Sequence, residues 1–168
     1  MDLENKLKTV NLETEKLVKI ISKLEDIDAE NVNFQDLDRV LFFTLIMYGV
    51  CNNDLYHKKN ELKISKEDTE KMNAFYFAYN NAKHTTVFKS EERDLSYSSI
   101  VGHAVVDKAQ LEKSFGIVWA KLKNKRSQDK TKYFAYKKYL EGQKILDTIS
   151  IELDLIKHYY PKLIKLYK

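Results

Sequence analysis

The sequence predicts an all-α fold: a single domain over residues 1–168, built as a bundle of five or six helices with an irregular insertion around residues 89–126. Three observations carry this expectation. Only 4 Gly and 1 Pro occur in 168 residues, too few for the many turns of a β-sandwich or barrel. Apolar residues recur at helical spacing along most of the chain. With 43% hydrophobic and 32% charged residues, the chain has apolar material for a core, which excludes wholesale disorder.

The first helix has the clearest pattern. Leu3, Leu7, Val10, Thr14, Leu17, Ile21 and Leu24 step by four and three in alternation, a heptad seam with one polar slot at Thr14. Such a seam packs inside a bundle or against a partner helix. Asn31-Val-Asn33 breaks the pattern, and Asn33 is placed to cap a second helix with Asp36 three residues on. That helix is apolar almost all round from Val40 to Val50, so it is expected at the centre of the bundle. Ser65 caps a third helix, expected from about Lys66 to Phe88, with Met72, Phe75, Tyr76 and Tyr79 on one stripe.

Residues 89–126 lack a sustained helical period. Ser96 to Gly102 reads as a loop or a short hairpin strand, and Asp107 to Ser114 as one short helix. Phe115-Gly-Ile-Val-Trp119 reads as an apolar plug, a loop docking on the core. Ser127 then caps a helix to about Glu141, with Gly142 as its stop. The last helix is expected from Lys144 to Tyr160, with Ile145, Ile149, Leu153, Ile156 and Tyr160 on one face. Pro161 is expected to interrupt it before a short helical tail.

Several function classes are excluded or unsupported. One Cys rules out a disulfide framework or a Cys-rich zinc site, and Cys51 sits in an apolar run as an inert core residue. The most apolar run, Val40 to Cys51, is 12 residues, against about 20 needed to span a bilayer, so no membrane partner is expected. The N-terminus is charged and has no signal-peptide stretch, so a cytoplasmic location is expected. There is no phosphate-binding glycine loop and no G-x-S-x-G elbow. No two of His57, His84, His103 and His158 share an i, i+4 face, so neither a metal nor another cofactor is expected.

Two features could carry chemistry. The first is Asn80 and His84, four apart on the third helix and hence on one face, between Phe77 and Phe88. An imidazole there can move protons, and a neighbouring amide can hold phosphate or ribose. Equally, the two can satisfy each other or the backbone beneath the long loop. The second is a basic stretch: Lys121, Lys123, Lys125, Arg126, Lys130, Lys132, Lys137 and Lys138 face one acid, Asp129, with four aromatics interleaved. On a helical wheel Lys130, Phe134, Lys137 and Lys138 fall together, a stripe that can track phosphates or be a solvated face. Net charge is +4, but residues 1–40 hold ten acids and six bases, so the basic excess lies beyond them. Only three of the 29 bases are Arg, a Lys bias that fits an AT-rich coding genome as well as a selected surface.

Asn80-x-x-x-His84 resembles the R-N-x-x-x-H element of HEPN domains, over six residues and the general helical layout. The resemblance implies an all-α, commonly homodimeric domain from a family that includes ribonucleases of toxin–antitoxin, antiviral-defence and CRISPR systems. It implies His84 as general acid/base across a dimer cleft from its mate, and Asn80 as its positioning partner. Tyr79 stands in the place of the family's Arg and supplies no guanidinium, so the implied activity is weak or degenerate, with Lys83 as a substitute cation. The expected function is therefore an RNA-directed, HEPN-like protein of a bacterial or phage defence or toxin-type module. The alternative is a non-enzymatic helical interaction protein, of inhibitor or immunity type, that binds a protein partner.

Overall fold

A computed structural model describes residues 2–25, 34–94, 113–123 and 129–167. These form five helices and one two-stranded antiparallel sheet: α1 Leu3–Glu25, α2 Phe34–His57, α3 Lys66–Ala82, β1 Phe88–Asp94, β2 Lys113–Trp119, α4 Lys130–Tyr139 and α5 Ile145–Leu166. The fold is all-α in class, as its composition predicts. The residues of the Asn31–Asn33 cap, Ser96–Gly102, Lys125, Arg126 and Ser127 lie outside the described residues.

The heptad seam of α1 packs within the chain. Val10, Leu17 and Ile21 are fully buried in a hydrophobic cluster to which all five helices contribute. The polar slot has a specific use: Thr14 Oγ1 donates to Val10 O at 2.7 Å and lies 3.0 Å from Tyr48 Oη of α2. Tyr48 Oη in turn donates to Ile149 O of α5 at 3.1 Å, so one buried polar chain joins three helices. At the other end of α1, Lys6 Nζ and Tyr160 Oη both reach Asp54 Oδ2 at 2.6 Å, again linking α1, α2 and α5. Each such bond contributes about 1 kcal/mol net and fixes the helix register.

α2 is central, burying Leu37, Leu41, Leu45, Tyr48, Cys51 and Leu55, although one flank is open and Phe43 stays 47% exposed. Burial pushes the Cys51 thiol up to about 12, which makes it inert as expected. Gly49 admits α3: a Cβ there would stand 3.3 Å from the Tyr79 ring. Ser65 caps α3 as the sequence predicts, its Oγ accepting from Asp68 N at 3.0 Å.

Three boundaries differ from expectation. α3 stops at Ala82, six residues before Phe88. Thr85-Thr86-Val87-Phe88 is a β-branched and aromatic run that favours extended chain, and Phe88 begins β1 instead. Phe115–Trp119 is a strand rather than a docking loop, paired with β1 in the register Phe88 to Trp119. Lys113 and Ser114, expected at a helix end, belong to the same strand. α5 runs unbroken through Pro161 to Leu166, because Tyr160 and Leu163 on either side of it are buried and hold the turn in place. The missing N–H then costs one hydrogen bond rather than the helix.

β2 places Trp119 in the middle of the core. Its Nε1 donates to Thr148 Oγ1 of α5 at 2.7 Å, and its ring meets Phe75 and Tyr136 edge-on at 5.8 and 6.4 Å. Gly142 lies at φ 75°, a left-handed turn that suits glycine, and its N–H reaches Trp119 O at 3.0 Å. The turn between α4 and α5 is thereby pinned to the edge of β2.

Candidate nucleic-acid interface

α4 lies antiparallel on α3. Phe77 sits between Tyr133 and Tyr136, with ring centroids 5.6 and 5.3 Å away, and Tyr136 Oη donates to Ala120 O at 2.6 Å. At the opposite end Glu70 accepts from Lys138 Nζ at 2.9 Å and Tyr139 Oη at 3.0 Å. The hydrogen bonds from Lys138 and Tyr139 hold the Glu70 carboxyl below its ordinary range. Lys138, placed on the solvent stripe by the helical wheel, is thus in an ion pair between α4 and α3.

The outward surface of this pair is a lattice of cations on rings. Lys83 Nζ lies 4.0 Å from the Tyr79 centroid, Lys132 Nζ 4.2 Å from Tyr76, and Lys137 Nζ 5.9 Å from Tyr133. Tyr76 and Tyr79 meet edge-on at 6.1 Å. Phe134, whose ring meets Tyr133 at 6.0 Å, is 65% exposed, and Lys130 is exposed at the start of α4. Lys121 and Lys123 are exposed on either side of buried Leu122, on the segment that Tyr136 ties to α4. Of the lysines expected to meet nucleic acid, the fold leaves Lys130 and Lys137 exposed on one side of α4, about 140–160° around the helix from Lys132, which stands with Lys83 over the α3 tyrosines. It keeps Lys121 and Lys123 on the neighbouring segment and couples Lys138 to Glu70.

The Asn80 and His84 pair does not share a helical face. α3 has ended at Ala82, and His84 lies in the turn beyond it, exposed, with its backbone N–H on Asn81 O at 2.9 Å. Asn80 is half-buried on the helix itself. Among the described residues no side chain hydrogen-bonds the His84 imidazole or the Asn80 amide. Phe77 and Phe88, expected to flank the pair at an interface, are 4% and 8% exposed and are used within the chain, Phe88 against Phe34 at 6.1 Å. Among the described residues no group of three or more His, Cys, Asp or Glu is arranged to hold a metal, and no helix is long and apolar enough to cross a membrane.

A site that sequence reasoning missed lies under this interface. Glu152 of α5 is fully buried, and its Oε1 accepts from Asn52 Nδ2 of α2 at 2.5 Å. Among the described residues, Asn52 Oδ1 and Glu152 Oε2 have no hydrogen-bond partner. Burial pushes the Glu152 carboxyl up to about 7. The available signal was a carboxylate inside the apolar stripe of α5. Glu152 and Leu153 both fit the periodicity, and hydropathy alone favours Leu153, whereas Glu152 is the one that is buried.

Comparison with protein-family models, with curated proteins and with solved structures finds no match to this chain.

Proposed function

We propose that this chain binds single-stranded RNA through the lysine and tyrosine face of α3 and α4, without cleaving it. The observation that carries this reading is the set of three lysines seated on tyrosine rings of α3 and α4, together with Phe134 exposed on the outer side of α4 beside Tyr133. Single strands are held by cations that follow the phosphates and by rings on which bases stack, and this face offers both. The exposed place of His84 in the turn beyond α3, with no hydrogen bond to its ring from a described side chain, supports a binder over a nuclease, because a general acid/base is oriented by a partner of its ring. The HEPN-like defence or toxin-type setting suggested by Asn80-x-x-x-His84 remains part of the proposal.

The test is retention of a labelled single-stranded RNA as salt is raised. Binding at about 50 mM salt is expected to fall with a log–log slope of roughly −0.7 per phosphate neutralised. Lys130→Glu with Lys137→Glu removes retention, whereas binding that ignores salt, or survives both changes, refutes the reading.

One observation keeps the protein-partner alternative. On α2, Phe43 is 47% exposed, and Ile46, Met47 and Val50 follow it at helical spacing, half-buried. This face can seat an apolar helix of a partner, and a second copy of the chain seated there would form the homodimer.

A further inference from the structure

The buried pair of Asn52 on α2 and Glu152 on α5 is short of a donor. The two residues are 3% and 0% exposed, and Asn52 Nδ2 donates to Glu152 Oε1 at 2.5 Å. The second oxygen of each group, Asn52 Oδ1 and Glu152 Oε2, is sealed from solvent and has no hydrogen-bond partner among the described residues. Both are acceptors, and buried acceptors without a donor are rare in folded proteins. A carboxylate has no proton to offer, whereas a carboxylic acid carries one O–H donor. One proton on Oε2 supplies what both oxygens lack.

The charged groups around the pair do not supply a cation instead. On α3, the field of Lys71 reaches Glu152, but its ammonium is 2.8 Å from Glu67 Oε1 and 3.9 Å from Asp68 Oδ1. Asp68 itself adds a negative charge that disfavours a second carboxylate nearby. On α2, burial raises Tyr48 and Cys51 above their ordinary values, so both stay neutral, and Asp54 is held by Lys6 of α1 and Tyr160. Thr14 of α1, uncharged, lies on the Tyr48 hydroxyl. From α4, Lys132 shares a cavity wall with Asn52 and His57 and lies 3.8 Å from Asp129 Oδ1. Asp154, the neighbouring acid on α5, is exposed.

We infer that Glu152 is held as a carboxylic acid whose Oε2–H donates to Asn52 Oδ1. With the Nδ2–H bond to Oε1 this closes a ring of two hydrogen bonds, a latch between α5 and α2 that opens when the proton passes to solvent. Two other polar ties of the same helices flank it, Tyr48 to Ile149 O at 3.1 Å and Tyr160 to Asp54 at 2.6 Å. Those ties hold when the latch opens, so the response is a local loosening and not unfolding. Burial raises the carboxyl from 4.5 to about 7, which sets the direction. The latch is closed below this range, weakens as pH rises through it, and stays open above it.

The test uses the full chain. Infrared difference spectra, wild type minus Glu152→Gln, are expected to show the carbonyl stretch of a protonated carboxylic acid at pH 6, fading by pH 8. Asn52→Leu leaves the acid without either bond and is expected to move its stretch to the higher frequency of an unbonded acid. Where that variant does not fold, the side-chain amide resonances of wild-type Asn52 decide instead: they are expected to shift with the same midpoint as the Glu152 carboxyl carbon. Glu152→Gln can donate to Asn52 Oδ1 and accept from Nδ2 at every pH, so it is the permanently closed form. Protection from hydrogen exchange of the α2 and α5 backbone beside the pair, corrected for intrinsic rates, is expected to drop about tenfold from pH 6 to pH 8 in the wild type and to stay constant in Glu152→Gln. An ionised Glu152 at pH 6, an acid stretch unmoved by Asn52→Leu, Asn52 resonances indifferent to the titration, or the same change of protection in both proteins overturns the inference.

Discussion

Replacing Glu152 by Gln should make the protein more stable at pH 8 and leave it little changed at pH 5. The carboxyl is fully buried, and burial raises it from an ordinary value of 4.5 to about 7. Between those two values the folded chain holds a proton that the unfolded chain has released. Stability therefore falls as pH rises through this window and levels off above it. The slope at full effect is about 1.4 kcal/mol per pH unit, so the wild type should be about 3 kcal/mol less stable at pH 8 than at pH 5 on account of this group. Gln never ionises, and its carbonyl still accepts from Asn52 Nδ2, so the variant loses that dependence. Urea denaturation of both proteins at several pH values between 5 and 8 gives the difference directly. Subtracting the variant from the wild type cancels the contributions common to both proteins. A difference that stays flat from pH 5 to pH 8, or that favours the wild type at pH 8, refutes the claim that Glu152 is buried as a lone carboxylate.

Two further outcomes follow from the fold. Pro161 is exposed inside α5 and its ring leaves the Lys157 carbonyl without a helical donor, so Pro161→Ala should stabilise by about 1 kcal/mol or more in urea denaturation. A loss of stability would mean that the ring is packed or that the helix is not continuous there. His84→Ala should change stability by less than about 0.5 kcal/mol and leave RNA retention intact, since the residue is exposed beyond the end of α3. A wild type that cleaves RNA without added metal, with cleavage lost in His84→Ala, would restore the catalytic role implied by the HEPN resemblance.

The parts of this protein legible in the sequence are those set by local periodicity. The α1 seam, the Ser65 cap, the apolar α2 and the stop at Gly142 depend on neighbours within a few residues, and each is written in the side chains themselves. The Thr14 slot was visible as an exception, but its partners Tyr48 and Ile149 lie on two other helices. The basic character of the α4 region was legible as composition. That Lys132 stands on Tyr76 and Lys138 pairs with Glu70 was not, because α3 supplies those partners from some sixty residues away.

What tertiary structure decided is where the periodic patterns end and which of two adjacent residues turns inward. The α3 pattern could run to Phe88, but pairing of Phe88–Asp94 with Lys113–Trp119 takes that segment into a sheet, and His84 moves off the helix with it. A strand pair across such a separation leaves little trace in either segment read by itself. Along α5, Glu152 and Leu153 both fit the stripe. Only the position of Asn52 on a helix 100 residues earlier makes the buried carboxylate tolerable, because its amide offers the hydrogen bond that replaces water. The amino-acid sequence by itself determined the helices and the apolar face of each. The packing of one helix against another determined which polar groups meet, since that depends on distances in space that no short window of sequence contains.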